Sequence, residues 1–288
     1  MENFLRPIYQ ERASNQNTKG ITMIEKTTQH STLTDSFDII MLIIVTDVDQ
    51  AWQVKHYEFE GKTAALHTVR EDMLMNWIDT SGYRAAVEWI IEGQIVFDRN
   101  EYMSNLRNQL REFPNTKRDL RKVIEFGKLI KSYTEAKNLF EMEDFKDAHS
   151  KIMNSLLHLA RLAVIEKGYY PEVTVWSQVK KIDLEVYKLY EEFIESNEEI
   201  SKKAELMILA MEYVISNRAR TSVNHLLTVM QTKESEWSFA ELTNEDTQAY
   251  ILDLAAIISY LAEKEIIEIV LEPTKGIDVH QRKYKIKS

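Results

Sequence analysis

An α+β protein of several domains is predicted by three observations. The short β-branched apolar runs of the first part fall between Gly20 and Phe97, almost nothing from Lys117 to Ser216 reads as strand, and the chain ends in two alternating segments that follow helices. Only 7 glycines and 4 prolines occur among 288 residues, which leans the whole toward helix. These shifts divide the chain into a mixed α/β domain at 1–115, a helical bundle at 116–218 and a smaller unit at 219–288, the first boundary lying near Glu112-Phe113-Pro114-Asn115.

Each element follows from its local pattern. Gly20–Lys26 and Phe37–Val45 are strands, and the second is apolar almost throughout, as a strand buried on both faces must be. Val54–Glu60 alternates, Gly61-Lys62 turns, and Thr63–Val69 resumes, which is a hairpin. Tyr83–Ile91 is helical and stops at Gly93 before the strand Gln94–Phe97. Asn100 is the expected N-cap of a helix over Glu101–Arg111. Long helices over Asp119–Phe140 and Phe145–Lys167 flank the turn Glu141–Asp144. After Gly168–Pro171, a loop over Glu172–Trp176 leads to a helix over Val179–Glu195, and Ser196 with Glu199 reads as a capping box for Ile200–Ser216. Ala219–Met230 is helical, Ser238 and Glu241 form a second capping box, and a long helix lies within Thr247–Lys264. Strands over Ile266–Leu271 and Val279–Ile286 then close the chain in the order of a winged helix-turn-helix.

Composition excludes several classes of function. There is no cysteine, so disulfides, thiol catalysis and Cys-ligated zinc are absent. The net charge of −10 repels phosphate backbones at long range. The polar start MENFLRPIYQ is not a signal peptide, and no apolar run approaches the roughly 18 residues that span a bilayer. A cytoplasmic protein with no membrane association is expected. No P-loop, GxSxG, HExxH or dinucleotide fingerprint occurs.

The residues with chemistry to offer fall in three places. Asp35, Ser36 and Asp38 precede and open the buried strand, where a carboxylate can meet a ligand while the strand holds it rigid, and Asp35 with Asp38 could hold one metal ion. Asp147, Lys151, Asn154, His158 and Arg161 share one face of a helix. That face is a solvated stripe with an Asp–Lys pair, or else a substrate-facing one whose His158 and Arg161 offer donors to a phosphate or base. Within Val223–Ser288 seven Lys and Arg stand against eleven Asp and Glu, and the helix within Thr247–Lys264 has no cation before Lys264. Lys283, Lys285 and Lys287 share one face of the final strand and are the candidate phosphate contacts of a wing. Weak or no duplex binding is expected, with a protein partner for the winged unit as the competing use.

The strand GITMIEKT, the strand SFDIIMLIIV, the hairpin and then GQIVFDRN resemble the polymerase-β-type nucleotidyltransferase superfamily. More closely, Gly82–Tyr102 and His158–Trp176 resemble a bacterial nucleotidyltransferase-like family. Its members join a degenerate nucleotidyltransferase domain to a helical substrate-binding-type domain and a C-terminal helix-turn-helix. In the superfamily a Gly-Ser pair follows the first strand, an Asp-hydrophobic-Asp pair opens the second, and a third acid sits on a later strand. Here Lys26-Thr27 takes the Gly-Ser place, Asp38 the first acid and Ile40 the second, and Thr63–Val69 contains no acid. One acid of three does not build a two-metal clamp. His67 on that strand is too soft for magnesium and is grouped with the substrate-binding candidates Asp35, Ser36, His158 and Arg161. The resemblance implies a nucleotide or nucleic-acid-derived ligand held between the first two domains, without efficient catalysis. Two alternatives remain open. One is an active Mg2+-dependent nucleotidyltransferase using catalytic Asp38 with Asp35 and Asp47 or Asp49. The other is a ligand-sensing DNA-binding regulator.

Overall fold

The computed structural model describes residues 2–26, 31–80, 82–112 and 115–287. Thr27 of the Gly-Ser place, and Phe113-Pro114 at the expected domain boundary, lie outside them. The chain forms two compact units, Met1–Pro114 with Gly168–Val175, and Asn115–Lys167 with Trp176–Ser288.

The first unit is a five-stranded sheet in the order β3-β4-β2-β1-β5, built from β1 (Thr18–Glu25), β2 (Ile39–Val45), β3 (Trp52–Phe59), β4 (Lys62–Arg70) and β5 (Gln94–Asp98). Only β2 and β4 run parallel, with Ile40 opposite Ala65 and Leu42 opposite His67. The β3–β4 hairpin turns through Glu60 and Gly61, both at positive φ, which suits the glycine. All seven β2 residues are buried, as a strand between two layers requires. Ile40, Leu42 and Ile44 face α2 (Glu71–Thr80), α3 (Arg84–Glu92) and α4 (Tyr102–Glu112), whereas Ile39, Met41 and Ile43 face α1 (Glu2–Ser14) through Leu5.

Neither α1 nor α2 was expected from the periodicity. The N-cap of α4 also differs. Asn100 and Glu101 are left-handed (φ 53 and 58), and the α4 N–H groups are met by Asp98, whose carboxylate accepts from Met103 N at 2.8 Å and Ser104 N at 3.1 Å. An aspartate at the end of β5 reaches two N–H groups of the first turn, which a left-handed asparagine inside the bend does not.

The second unit starts with α5 (Asn115–Glu141) and α6 (Phe145–Glu166) packed along each other, crossed by α9 (Ile200–Ser222). Among the described residues between Asp119 and Tyr213 no strand occurs. The helix expected over Val179–Glu195 is two, α7 (Val175–Ile182) and α8 (Leu184–Glu195), divided where the Asp183 side chain accepts from Val186 N and caps a new start. The capping box of Ser196 and Glu199 does not form. Ser196 ends α8, its hydroxyl accepts from Glu198 N, and Glu199 makes no side-chain cap. In place of one helix over Ala219–Met230, α9 runs to Ser222 and α10 (Asn224–Gln231) restarts after Val223.

The end of the chain is a winged helix-turn-helix: α10, a two-residue strand β6 (Trp237–Ser238), α11 (Phe239–Leu242), a 3-10 turn over Glu245–Tyr250, α12 (Leu254–Glu263), then β7 (Ile267–Pro273) and β8 (His280–Ile286). The Ser238–Glu241 capping box is present, and it serves the single turn of α11. β6, too short to read from sequence, pairs with Tyr284 and Lys283 of β8. Within this unit α12 packs on α5. Gly127 sits at the contact, where a Cβ would come 2.9 Å from Asp253 Cβ and 3.0 Å from Ile257 Cδ1. A mid-helix glycine normally weakens a helix, so here the close approach is what requires it. Gly127→Val is therefore expected to lower the stability of this unit by about 1–3 kcal/mol through overpacking, measurable by urea unfolding; an unchanged midpoint would show that α12 is not seated there.

Candidate functional site

The family's metal-binding positions lie at one end of the first-unit sheet, and their side chains are otherwise engaged. Asp38 Oδ2 accepts from Thr63 N (2.8 Å) and Thr63 Oγ1 (3.2 Å), while Asp38 N donates to Thr63 O (3.0 Å) and Asp38 O accepts from Lys26 N (2.8 Å). Asp38 thus clips the start of β2 to β4. The backbone N–H of Thr63, above all, holds its carboxyl below the usual carboxylate value, with Lys26 and Lys62 adding to the effect. Ile40, in the second-acid place, is 1% exposed and packs in the core. Asp35 lies in a turn at φ 50, exposed beside Ser36. Asp47 and Asp49 follow the other end of β2, about 20 Å of strand away, so neither completes a cluster with Asp38. Among the described residues no three His, Asp or Glu side chains are grouped to hold a metal. This donor set does not fit the two-ion site of the superfamily.

What the sheet does assemble beside this loop is aromatic. His67 on β4 stacks under Trp52 of β3 (centroids 6.0 Å, 20°) and meets Trp89 of α3 edge-on at 4.7 Å. Trp52 also touches Trp77 at 5.1 Å and Tyr83 at 5.6 Å. Trp52 Nε1 donates to His67 Nδ1 at 3.2 Å, so the neutral ring carries its proton on Nε2. His67 is 6% exposed, and burial lowers its pKa to about 4, against a smaller opposing effect of Asp35. Burial, followed by Asp35, raises the Tyr83 phenol. Asp35 therefore acts on the same cluster, and Trp89 Nε1 anchors the loop by donating to Leu33 O at 2.7 Å. Trp52 is 42% exposed, leaving an indole outermost in the cluster. Of this cluster the sequence pointed only to His67; Trp52, Trp77, Tyr83 and Trp89, on either side of the Thr63–Val69 strand, were the available signal.

His158 and Arg161 sit elsewhere, in the second unit. His158 Nδ1 lies 2.8 Å from Oε2 of Glu125, a carboxylate 1% exposed on α5. Burial alone would raise Glu125, but the His158 contact, with Lys128 and Arg161 nearby, brings it below the usual value. Only the lower part of the α6 stripe is solvated: Asp147 and Asn154 are exposed, and Lys151 pairs with Glu135 at 2.5 Å. The upper part turns its polar groups to α5. The acid of this pair was missed, although Glu125 is a lone charge between Val123, Ile124 and Phe126.

On the wing, Lys283 pairs with Glu272 and Lys287 with Glu265, each at 2.8 Å, and Lys285 lies opposite Glu268 in the ladder. The helix expected to read DNA is α12, whose exposed residues Ala255, Ser259 and Glu263 carry no cation and whose buried side packs within the unit. No helix is long and apolar enough to cross a membrane among the described residues.

Two outcomes follow. Duplex DNA should bind no tighter than about 10⁻⁶ M at physiological salt, tested by titration of labelled duplex; nanomolar binding lost on replacing Lys283, Lys285 and Lys287 by alanine would reverse this. For His67 the folded pKa is depressed, so its contribution to stability is full above about 6.5 and is lost as pH falls toward about 4. The loss is at most about 3 kcal/mol. Unfolding of the wild type and His67→Phe across that window should differ in slope, with the variant less acid-sensitive.

The chain matches a family described as nucleotidyltransferase-like over residues 1–118, a YgxA-like substrate binding domain over 119–218 and a helix-turn-helix domain over 224–286. It is 44% identical to the uncharacterized protein YgxA of Bacillus subtilis (strain 168), across all of this chain and 98% of that protein. It also superposes on the crystal structure of a nucleotidyltransferase-like protein from Exiguobacterium sibiricum 255-15 with a TM-score of 0.82 and 35% identity, over 99% of both chains. With that identity held from end to end, the chain belongs to the nucleotidyltransferase-like family typified by YgxA.

Proposed function

We propose that the first unit binds a nucleotide or other nucleobase-bearing ligand at the Trp52–His67–Tyr83 cluster and does not transfer nucleotidyl groups. The observation that carries this reading is an exposed indole, backed by a neutral histidine and a tyrosine, on the same loop side as Asp35. A base stacks on such a surface whatever its identity, worth about 1–3 kcal/mol, and Asp35 can accept from an exocyclic amine. Catalysis is not part of the proposal, because Asp38 is committed to Thr63 and the second-acid position is core.

The helix-turn-helix is proposed to serve protein contacts. Lys283 and Lys287 of its wing are already paired, and Leu271, Val279 and Ile277, the last 93% exposed, leave apolar side chains on the hairpin facing solvent.

Tryptophan fluorescence during titration with nucleoside triphosphates, run in parallel with magnesium and with a chelator, tests the main reading. Saturable quenching in both conditions is expected, with affinity falling about tenfold or more in Trp52→Ala and no pyrophosphate release. Pyrophosphate release abolished by Asp38→Asn would overturn it, as would affinity unchanged in Trp52→Ala.

A further inference from the structure

At the opposite end of the first-unit sheet from Asp38 lies a cavity of about 530 Å³, within the range that small-molecule sites occupy. It opens beside the start of β1, the residue following β2 (Thr46) and the first turns of α2 and α4. Three features of the chain converge on it. The register of β1 against β2 slips between Thr18 and Gly20, so Lys19 is the extra residue of a bulge, a device that re-aims a side chain. Lys19 Nζ pairs with Glu71, the first residue of α2, and sits 4.7 Å from the centroid of the Tyr102 ring. Asn100 and Glu101 both hold left-handed backbone at the rim, a strained arrangement that presents Asn100 to the cavity.

The polar groups left there are selective in kind. The Tyr102 hydroxyl is buried beside Glu71, and burial together with that carboxylate holds its phenol well above the usual range. Asn105 and Gln109, one turn apart on α4, add side-chain amides, and Met75 and Leu106 supply apolar lining. Arg99 completes the frame. Its guanidinium donates to Thr18 O (2.7 Å), Ala13 O (3.0 Å) and Asn15 O (3.1 Å), fixing the chain that carries Lys19.

We infer that this cavity is a second ligand site, separate from the nucleobase site, for a small zwitterion of the α-amino-acid class. The Lys19–Glu71 pair presents one charge of each sign side by side. A carboxylate meets Lys19, an ammonium meets Glu71, and the amides of Asn100, Asn105 and Gln109 meet a polar side chain. Lys19 and Glu71 already neutralise each other, so a simple anion or cation would strand one of them, whereas a zwitterion exchanges their pair for two of its own.

The test uses the full chain, with the common α-amino acids one by one at millimolar concentration and inorganic phosphate in parallel, followed by saturation-transfer NMR and thermal shift. At least one amino acid with a polar side chain is expected to bind and to raise the melting temperature. Lys19→Met should weaken it about tenfold or more, and Lys19→Arg should restore part of the loss. Should Lys19→Met not fold, Asn105→Ala, at an exposed position of α4, and Tyr102→Phe carry the test with a loss of several-fold each. Binding of no amino acid, binding of phosphate alone, or affinity unchanged in these variants would overturn the inference. Nucleotide quenching at Trp52 is read separately and is expected to be the same in all of them.

Discussion

The constraint on which the first unit rests is the burial of β2 on both faces. Ile39–Val45 lies between β1 and β4 inside the sheet, with α1 over one face and α2–α4 over the other. Every residue of it must be apolar, and a carboxylate at Ile40 would lose its hydration with no cation or donor set to replace it. The second-acid position and the structural requirement of the strand therefore compete for one site, and in this chain the strand has it. The sheet keeps the shape of a nucleotidyltransferase while its centre has become core.

Polar chemistry is consequently pushed to the two ends of the strands, where backbone pairing stops. At the end where β2 begins, Asp38 spends its carboxylate on Thr63 and holds β2 in parallel register with β4. That register places His67 beneath Trp52 and beside Trp89. The acid retained in the family position is in this way taken up in the pairing of β2 with β4. At the other end, Arg99 ties three carbonyls of the α1–β1 turn and the bulge turns Lys19 toward Glu71. Trp52, paired with Val69, lies toward this second end as well, on the β3 side of the sheet.

How far the sequence reveals this depends on whether a signal is local. Burial of Ile39–Val45, the Gly61 hairpin, the long helices α5 and α6, and the terminal hairpin all announce themselves through period and turn chemistry. Caps did so less well, because several residues compete for each helix start. Asp98 outreaches Asn100, Asp183 interrupts a run that reads as one helix, and Ser196 is taken by the end of α8. Partners distant in sequence left the faintest trace. The contact between His158 and Glu125 joins residues 33 apart on different helices, and its polar face on α6 looks the same as a solvated stripe. The aromatic cluster draws on β3, β4, α2 and α3 together, so no window of sequence contains it.

The second unit shows the same competition between packing and exposed chemistry. In a winged helix-turn-helix that reads DNA, the third helix stands free and carries donors on its outer side. Here Leu254, Ile257, Ile258 and Leu261 of α12 are buried, and Gly127 of α5 lacks a side chain where that helix comes closest. Phe126 meets Tyr260 edge-on at 6.0 Å, Lys131 pairs with Asp253, and Lys264 with Glu212 of α9. The helix that would enter a groove is instead a member of the helical bundle, tied to it by apolar and ionic contacts at both of its ends. What remains exposed is the hairpin, where Lys283 pairs with Glu272 and Lys287 with Glu265 and Leu271, Ile277 and Val279 face solvent. The third helix of the winged unit has become a wall of the bundle, and its hairpin is the part left exposed.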